Sequence, residues 1–298
     1  MSLSRQNNAN TLRIGVPKGS LEQSTIDLFD KAGYRIYVGS RSYFPTVDDP
    51  RLQLIMFRAQ EMSRYVEDGV LDAGITGYDW VMENGSDVQE VCELVYSKAT
   101  TRPASWVLAV PEESPVRRPE DLAGGIIATE LVNTTRKYFA ERGVPVKKIE
   151  FSWGATEVKA RLVSAIVDIT ETGSSLRANN LRVIDTVLTT TTRLIANRQS
   201  WADPGKRERI EDLALLLRGA IVAREKVGLK MNVPKSRAAE VLALLPAEKS
   251  PTISPLADGS WQAIEVVVEE QIERELVPRL VRAGATGIIS YSLNKVIP

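Results

Sequence analysis

Apolar residues alternate with others at Leu12, Ile14 and Val16, then give way to Pro17-Lys18-Gly19-Ser20. Leu21, Thr25, Leu28, Phe29 and Ala32 next fall on one helical face. The pattern predicts a strand, a loop and a helix, with Ser20 and Gln23 at capping-box spacing and Gly33 as the stop. Tyr37 to Pro50 is irregular, Leu52 to Phe57 predicts a strand, and Arg58 leads into a helix ending near Gly69. Leu71 to Asp79 predicts a very short strand whose Thr76-Gly77 turn opens a helix to Glu83. Strands follow at Val88–Tyr96 and Ser105–Val110, with Thr100–Ala104 as a crossover between them. Pro115–Leu122 starts a helix, Ile126–Thr129 and Lys147–Ser152 are strands, and Asn133–Arg142 and Thr156–Leu162 are helices. Leu181 to Asn197 is β-branched throughout and predicts one long strand running back towards the first domain, before a helix over Lys206–Arg218. Strand and helix alternate, so the class is α/β with mainly parallel sheets.

After this the pattern changes. Val227–Val233, Trp261–Glu269 and Thr286–Val296 read as strands and Ser250–Leu256 as a strand or a loop; helices begin at Pro234 and run over Gln271–Arg282. The order is βαββαβ, a ferredoxin-like unit that gives a fold and no ligand.

One stretch carries more chemistry than the rest. Ala165, Ile166, Val167 and Ile169 form an apolar strand that turns polar at Thr170, Thr172, Gly173, Ser174 and Ser175, and Leu176 begins a short helix. Strand, glycine turn and helix start present backbone amides to an anion, and the hydroxyls add donors. Asp168 and Glu171 repel phosphate, so they face sugar hydroxyls, a metal ion or water. A ribose phosphate suits this combination; a capped helix after a buried strand is the plainer alternative. The Lys18-Gly19 loop and the Asp72 to Thr76 turn are two further loops at strand ends, where ligands bind in open α/β sheets.

Composition narrows the chemistry. Among 298 residues Lys plus Arg equals Asp plus Glu at 38 each, which gives no reason to expect nucleic acid or a membrane surface. There is no histidine, so no Ser-His-Asp triad or histidine metal site exists, and acid–base work falls to carboxylates, lysine or tyrosine. The single Cys92 forbids an internal disulfide and reads as a buried structural thiol in a reducing compartment. No secretory h-region and no membrane-length apolar stretch is present, so a cytoplasmic protein is expected. No G-x-G-x-x-G follows a strand, and no P-loop motif occurs.

Five stretches together resemble the long form of the ATP phosphoribosyltransferase family: LRIGVPKGSL, RAQEMSRYVEDGVLDAGITGYD, IATELVNTTRKYFAERG, VDITETGSSLRANNL, and SPTISPL with the LNKVIP tail. The resemblance runs from Leu12 to Pro298. It implies a two-lobed core like a type II periplasmic binding protein, with residues 1–104 and 197–224 as catalytic domain I and 105–196 as domain II. Residues 225–298 would then be a ferredoxin-like regulatory domain. The implied reaction joins N1 of ATP to C1 of phosphoribosyl pyrophosphate (PRPP), with Mg2+ accompanying the pyrophosphate. In this implication Asp168, Glu171, Thr172, Gly173, Ser174 and Ser175 bind PRPP. Lys18, Gly19, Asp72, Thr76, Glu130 and Arg136 face ATP and pyrophosphate, and Ser250, Thr252 and Leu256 belong to a pocket for inhibitory L-histidine. The family also implies a homo-oligomer, dimer or hexamer, with no separate regulatory subunit.

Two departures stand out. The family often has Lys-Gly-Arg where Lys18-Gly19-Ser20 stands, which removes an arginine from that loop. The common Asn-Gly-Leu is Asn179-Asn180-Leu181 here, and asparagine tolerates the left-handed turn. A type I phosphoribosyltransferase shares the acid–Thr-Gly loop, but usually with adjacent acids and without the βαββαβ unit. A ligand sensor would share the two lobes and release no pyrophosphate.

Overall fold

Two five-stranded sheets of the same connectivity make up the first of two units, built on residues 1–30 and 34–214; the second is built on 31–33 and 215–298. The computed structural model describes residues 11–40, 42–96, 103–246 and 251–297.

Lobe I opens with β1 (Leu12–Lys18), α1 (Glu22–Ala32), the short ribbon β2 (Ile36–Tyr37) and β3 (Thr46–Val47), and β4 (Leu52–Arg58). It continues with α2 (Ala59–Glu67), β5 (Ala73–Gly77), α3 (Tyr78–Asn84) and β6 (Gln89–Leu94). Lobe II contains β7 (Ala104–Pro111), a 3-10 turn at Pro119–Leu122, β8 (Ile126–Thr129), α4 (Val132–Glu141) and β9 (Lys148–Phe151). It is completed by α5 (Thr156–Lys159), β10 (Ala165–Thr170), α6 (Ser174–Ala178) and β11 (Leu181–Thr190). The chain then returns through β12 (Thr192–Ala196) to α7 (Arg198–Ala202) and α8 (Pro204–Val222).

The strand orders are β4-β1-β5-β12-β6 in lobe I and β9-β8-β10-β7-β11 in lobe II. Each is the order second, first, third, visitor, fourth, where the visitor is the strand that has just arrived from the other lobe. This is the type II periplasmic-binding-protein arrangement. The visitors β12 and β7 run antiparallel to both neighbours, while β1 with β4 and β5, and β8 with β9 and β10, are parallel. The sheets are therefore mixed, where mainly parallel ones were expected. A strand crossing from the other lobe enters at the carboxyl ends of the parallel strands, so it must run against them.

The expected long strand Leu181–Asn197 is two strands parted at Thr191, one in each sheet. Residues Thr192–Ala196, expected in the second catalytic domain, lie in the sheet of the first. Part of the expected Thr100–Ala104 crossover, residues 100–102, lies outside the described residues.

Burial follows the alternation that predicted the strands. Leu12, Ile14 and Val16 are fully buried, and Met62 and Val66 of α2 pack with Leu71, Val81 and Ile195. The close approach of α2 to the sheet depends on missing side chains beneath it. A Cβ on Gly74 would lie 2.9 Å from Met62 Sδ, and one on Gly15 would collide with the same sulfur. The capping box expected from Ser20 and Gln23 is replaced by Glu22, whose Oε2 accepts from the Gly19 amide at 3.3 Å.

The second unit contains β13 (Lys226–Pro234), a 3-10 turn leading into α9 (Ala238–Leu242), β14 (Thr252–Pro255), β15 (Trp261–Glu269), α10 (Glu270–Arg282) and β16 (Thr286–Ser292). Its sheet is antiparallel in the order β14-β15-β13-β16, which is the ferredoxin-like order. Leu229, Met231, Val233, Ile264 and Leu280 are fully buried in its core.

Candidate functional site

A cleft of about 540 Å³ opens between the two lobes at the carboxyl ends of their parallel strands. Lobe I contributes the Pro17–Leu21 loop after β1, Arg58 to Gln60 at the join of β4 and α2, and Gly77, Asp79 and Trp80 at the start of α3. Lobe II contributes Trp106, Glu130 and the loop after β10: Ile169 to Thr172, Ser174 and Ser175. Thr190 to Thr192, where the chain passes back between lobes, form part of its wall.

The loop after β10 has the local structure its sequence predicts. Gly173 has φ +72°, in the left-handed region, and caps α6. Its amide donates to Thr170 Oγ1 at 2.7 Å, which tightens the turn. Thr172 Oγ1 donates to Ser174 Oγ at 3.0 Å, and Ser175 Oγ donates to Glu157 Oε1. The first amides of a helix have no partner inside it, so the start of α6 keeps donor capacity for an anion. Asn180, at φ +53°, takes the left-handed turn expected of it after α6.

Asp168 stands on β10 just before this loop and, like Gly173, lies behind the residues that line the cleft rather than among them. Burial pushes its carboxyl up to about 7; the Ile169 amide, bonded to Oδ1 at 2.8 Å, opposes the rise, and the Glu157 and Glu130 carboxylates add to it. Glu130 also accepts from the Gly154 amide at 3.3 Å. Asp168, Glu130 and Glu157 thus form an anionic neighbourhood beside the hydroxyl-rich loop. A carboxyl held near neutral pH accepts from sugar hydroxyls or meets a cation once it ionises.

On the facing wall Lys18 lies 3.6 Å from Glu22, with its ammonium 5.1 Å from the Tyr43 ring centroid. The Arg58 guanidinium stacks 5.7 Å from the Trp153 ring, so this cation reaches from lobe I over lobe II. Asp79 is 2% exposed, and burial raises its pKa against the bonds it accepts from Trp106 Nε1 at 2.8 Å and Thr190 Oγ1 at 3.0 Å.

Some expected site residues lie elsewhere. Asp72 and Thr76 do not line the cleft. Asp72 precedes β5, at the end of the strand remote from the cleft, and its carboxylate is consumed by Arg13 Nε at 3.2 Å, Lys206 Nζ at 2.7 Å and Ser200 Oγ at 2.8 Å. Thr76 is buried and donates to the Ala59 carbonyl at 2.7 Å. Arg136 is exposed on α4 and donates to Asn133 Oδ1 at 2.9 Å. It too is absent from the cleft wall.

Burial alone would raise the Asp72 pKa, but the Arg13, Lys206 and Ser200 bonds outweigh it and hold the carboxyl at about 2. Its contribution is present above the unfolded value of 3.8 and disappears as pH falls through about 2. Asp72→Asn is expected to cost about 2 kcal/mol at pH 7. Thermal melts of the two proteins should differ by about 5 °C at pH 7, and the gap should close only as pH falls to about 2. An equal gap at both pH values would contradict the ion-pair account.

In the second unit, Thr252 is exposed on β14, and Leu256 follows it with its amide 3.3 Å from the Trp261 carbonyl. Ser250 lies outside the described residues. Arg58, Gln60, Asp79, Trp80, Trp106 and Thr190 to Thr192 line the cleft without having been singled out as site residues. The hydroxyl run Thr189 to Thr192 was the available signal, since four threonines exceed what a plain strand needs.

The chain matches the family described as HisG, ATP phosphoribosyltransferase, over residues 58–219, and the HisG C-terminal domain over 223–295. A protein named ATP phosphoribosyltransferase from Chlorobium luteolum is 58% identical over 292 residues, covering 98% of this chain and 99% of its own length. One of the same name from Solibacter usitatus is 55% identical over 287 residues, covering 96% and 99%. The solved ATP phosphoribosyl transferase (HisG:HisZ) complex from Thermotoga maritima contains a chain with 28% identity and a TM-score of 0.59, covering 70% of this chain and 99% of that one. Cleft, connectivity and sequence agree: the chain belongs to the ATP phosphoribosyltransferase family, the glycosyltransferases that begin histidine biosynthesis by joining the phosphoribosyl group of PRPP to N1 of ATP and releasing pyrophosphate.

Proposed function

We propose that the two substrates meet in the interlobe cleft, with the phosphoribosyl group against lobe II and ATP against lobe I. One observation carries this reading: Lys18 and Gly19 of lobe I and Thr170 to Thr172, Ser174 and Ser175 of lobe II line the same cleft. The backbone and hydroxyls of Thr172, Gly173, Ser174 and Ser175 take the 5-phosphate, and Asp168 or Glu171 faces the ribose. Lys18, Gly19 and Arg58 take charge on ATP and pyrophosphate, with Glu130 across from them.

In the transfer the C1–N1 bond forms as the C1–O bond to pyrophosphate breaks, and the electron pair leaves with pyrophosphate. The step needs orientation and stabilised charge more than proton transfer, which suits a chain without histidine. Mg2+ enters as part of the PRPP substrate. Among the described residues no group of three carboxylate or cysteine side chains is set to hold an ion alone. The anionic neighbourhood of Asp168 gives an incoming cation a favourable approach.

L-Histidine acts through the C-terminal domain, at a pocket that includes Thr252 and Leu256. The support is the match of residues 223–295 to a HisG C-terminal domain. That domain supports regulation within one chain, with no separate regulatory subunit, and the assembly we propose is a homo-oligomer. A cytoplasmic location fits an enzyme of ATP and PRPP, and among the described residues no helix is long and apolar enough to cross a membrane.

The test is to mix the protein with ATP, PRPP and Mg2+ and follow the ultraviolet absorbance of the N1-substituted adenine, with and without histidine. Turnover suppressed by histidine is expected. Thr252→Val is expected to keep full turnover and to raise the half-inhibitory histidine concentration about tenfold, the effect of one lost polar contact. Unchanged inhibition in that variant would remove Thr252 from the pocket.

A further inference from the structure

We infer that Glu83 is a positioning residue for the transfer, acting across the lobe boundary on the segment that carries Glu130. Glu83 belongs to α3 of lobe I and is 9% exposed. Each of its carboxylate oxygens is bound to lobe II. Oε1 accepts from the Asn133 amide at 2.8 Å; Oε2 accepts from the Thr134 amide and from Thr134 Oγ1, both at 2.9 Å. The Glu83 carbonyl accepts from Asn133 Nδ2 at 3.1 Å. These donors form the first turn of α4, where a carboxylate also meets the positive end of the helix dipole.

The geometry ties this contact to the cleft. Glu130, on the cleft wall, directly precedes Leu131, the residue that caps α4. Leu131 is fully buried, and its amide donates to Thr129 Oγ1 at 3.0 Å, so the segment between Glu130 and the helix has little freedom. Fixing the first turn of α4 therefore fixes where Glu130 stands. On the same helix α3, Trp80 packs edge-on against Trp106 of β7, ring centroids 6.1 Å apart, and Asp79 binds the Trp106 indole. The helix α3 is thus inserted between the lobes, and Glu83 is its anchor at the far end.

Two covalent crossings alone would leave the lobes free to bend about them. With Glu83 bound, the ATP wall and the phosphoribosyl wall keep one separation, which sets the distance from N1 to C1. The inference rests on the placement of the substrates on opposite walls. It differs from that reading in what it predicts: each substrate binds its own wall, so loss of Glu83 leaves binding and removes alignment.

The experiment measures kcat and the dissociation constants of PRPP and ATP separately for the full-length wild-type, Glu83→Ala, Glu83→Gln and Thr134→Val proteins. Glu83→Ala is expected to lower kcat about thirtyfold or more, with each dissociation constant within about threefold of wild type. Glu83→Gln keeps one acceptor oxygen and is expected to recover about half of that loss on a logarithmic scale; Thr134→Val, which lacks one donor, is expected to lower kcat about threefold. The two milder variants decide the matter if the alanine protein does not fold. A kcat within twofold of wild type in Glu83→Gln and Thr134→Val, or a fall in kcat matched by equal losses in both dissociation constants, would overturn the inference. Failure of the wild-type protein to turn over would instead overturn the substrate reading.

Discussion

Gly173→Val is expected to abolish phosphoribosyl transfer while leaving the protein folded. The backbone of Gly173 sits at φ +72°, where a β-branched residue is strained by roughly 1–2 kcal/mol or more. A new Cβ would also lie 2.8 Å from Arg177 Nη1, the far end of a flexible side chain that has room to move. The strain is local, because α6 is a five-residue helix beside the cleft that sends only Leu176 into the core. The turn relaxes by moving the Gly173 amide off Thr170 Oγ1, and the amides and hydroxyls that follow it are re-aimed. Loss of aligned phosphate donors should reduce kcat/KM for PRPP by about 10³ or more. The melting temperature is expected to fall by only about 5 °C, a cost of roughly 2 kcal/mol. Near-normal turnover would sink the assignment of this loop to the 5-phosphate.

Asp168→Asn should stabilise the protein and inactivate it. The folded-state carboxyl is raised to about 7 from an ordinary 3.8, so folding takes up a proton between these values. For an acid raised in this way, the stabilising contribution is complete below the unfolded value and is lost as pH rises through the folded one. Above pH 7 the wild-type chain thus carries a half-buried carboxylate beside Glu157 and Glu130, and the asparagine variant does not. Water reaching the partly exposed group reduces the gain to about 2 kcal/mol at pH 8. The variant should melt about 5 °C higher at pH 8 and lose that advantage near pH 4. Its turnover is expected to fall by about 10² or more, because an amide supplies neither charge to a cation nor two acceptor oxygens to a ribose. Melting curves with the same gap at both pH values would remove the titration; full activity would remove Asp168 from the substrate side.

The fold was legible where one residue type reports its own surroundings. Leu12, Ile14 and Val16 alternate because one strand needs it, and Gly173 stands where a turn demands positive φ. Strand direction was not legible, since it depends on which lobe a strand comes from. No glycine or proline marks the break at Thr191, so β11 and β12 read as one strand. Asp72 was misplaced because a loop before a strand and a loop after it have the same composition; only the sheet distinguishes the two ends. Glu83 went unnoticed as a polar position on a helix, because its partners lie 50 and 51 residues further along the chain.

The visitor strands also dictate an order of assembly. β7 and both of its neighbours belong to one continuous segment, so lobe II holds every strand of its sheet between Ala104 and Thr190. Lobe I does not. Among the described residues β6 pairs only with β12, and β12 is made after the whole of lobe II. As the chain leaves the ribosome, the first-made lobe must wait with β5 and β6 unjoined, while the later lobe completes itself. The loop-closure cost of bringing β12 to β5 falls once lobe II is compact, because folding draws the ends of that segment together. The domain that begins the polypeptide is therefore the second to finish, and nascent chains stalled before Thr192 are expected to leave the β12-facing edge of β5 unpaired.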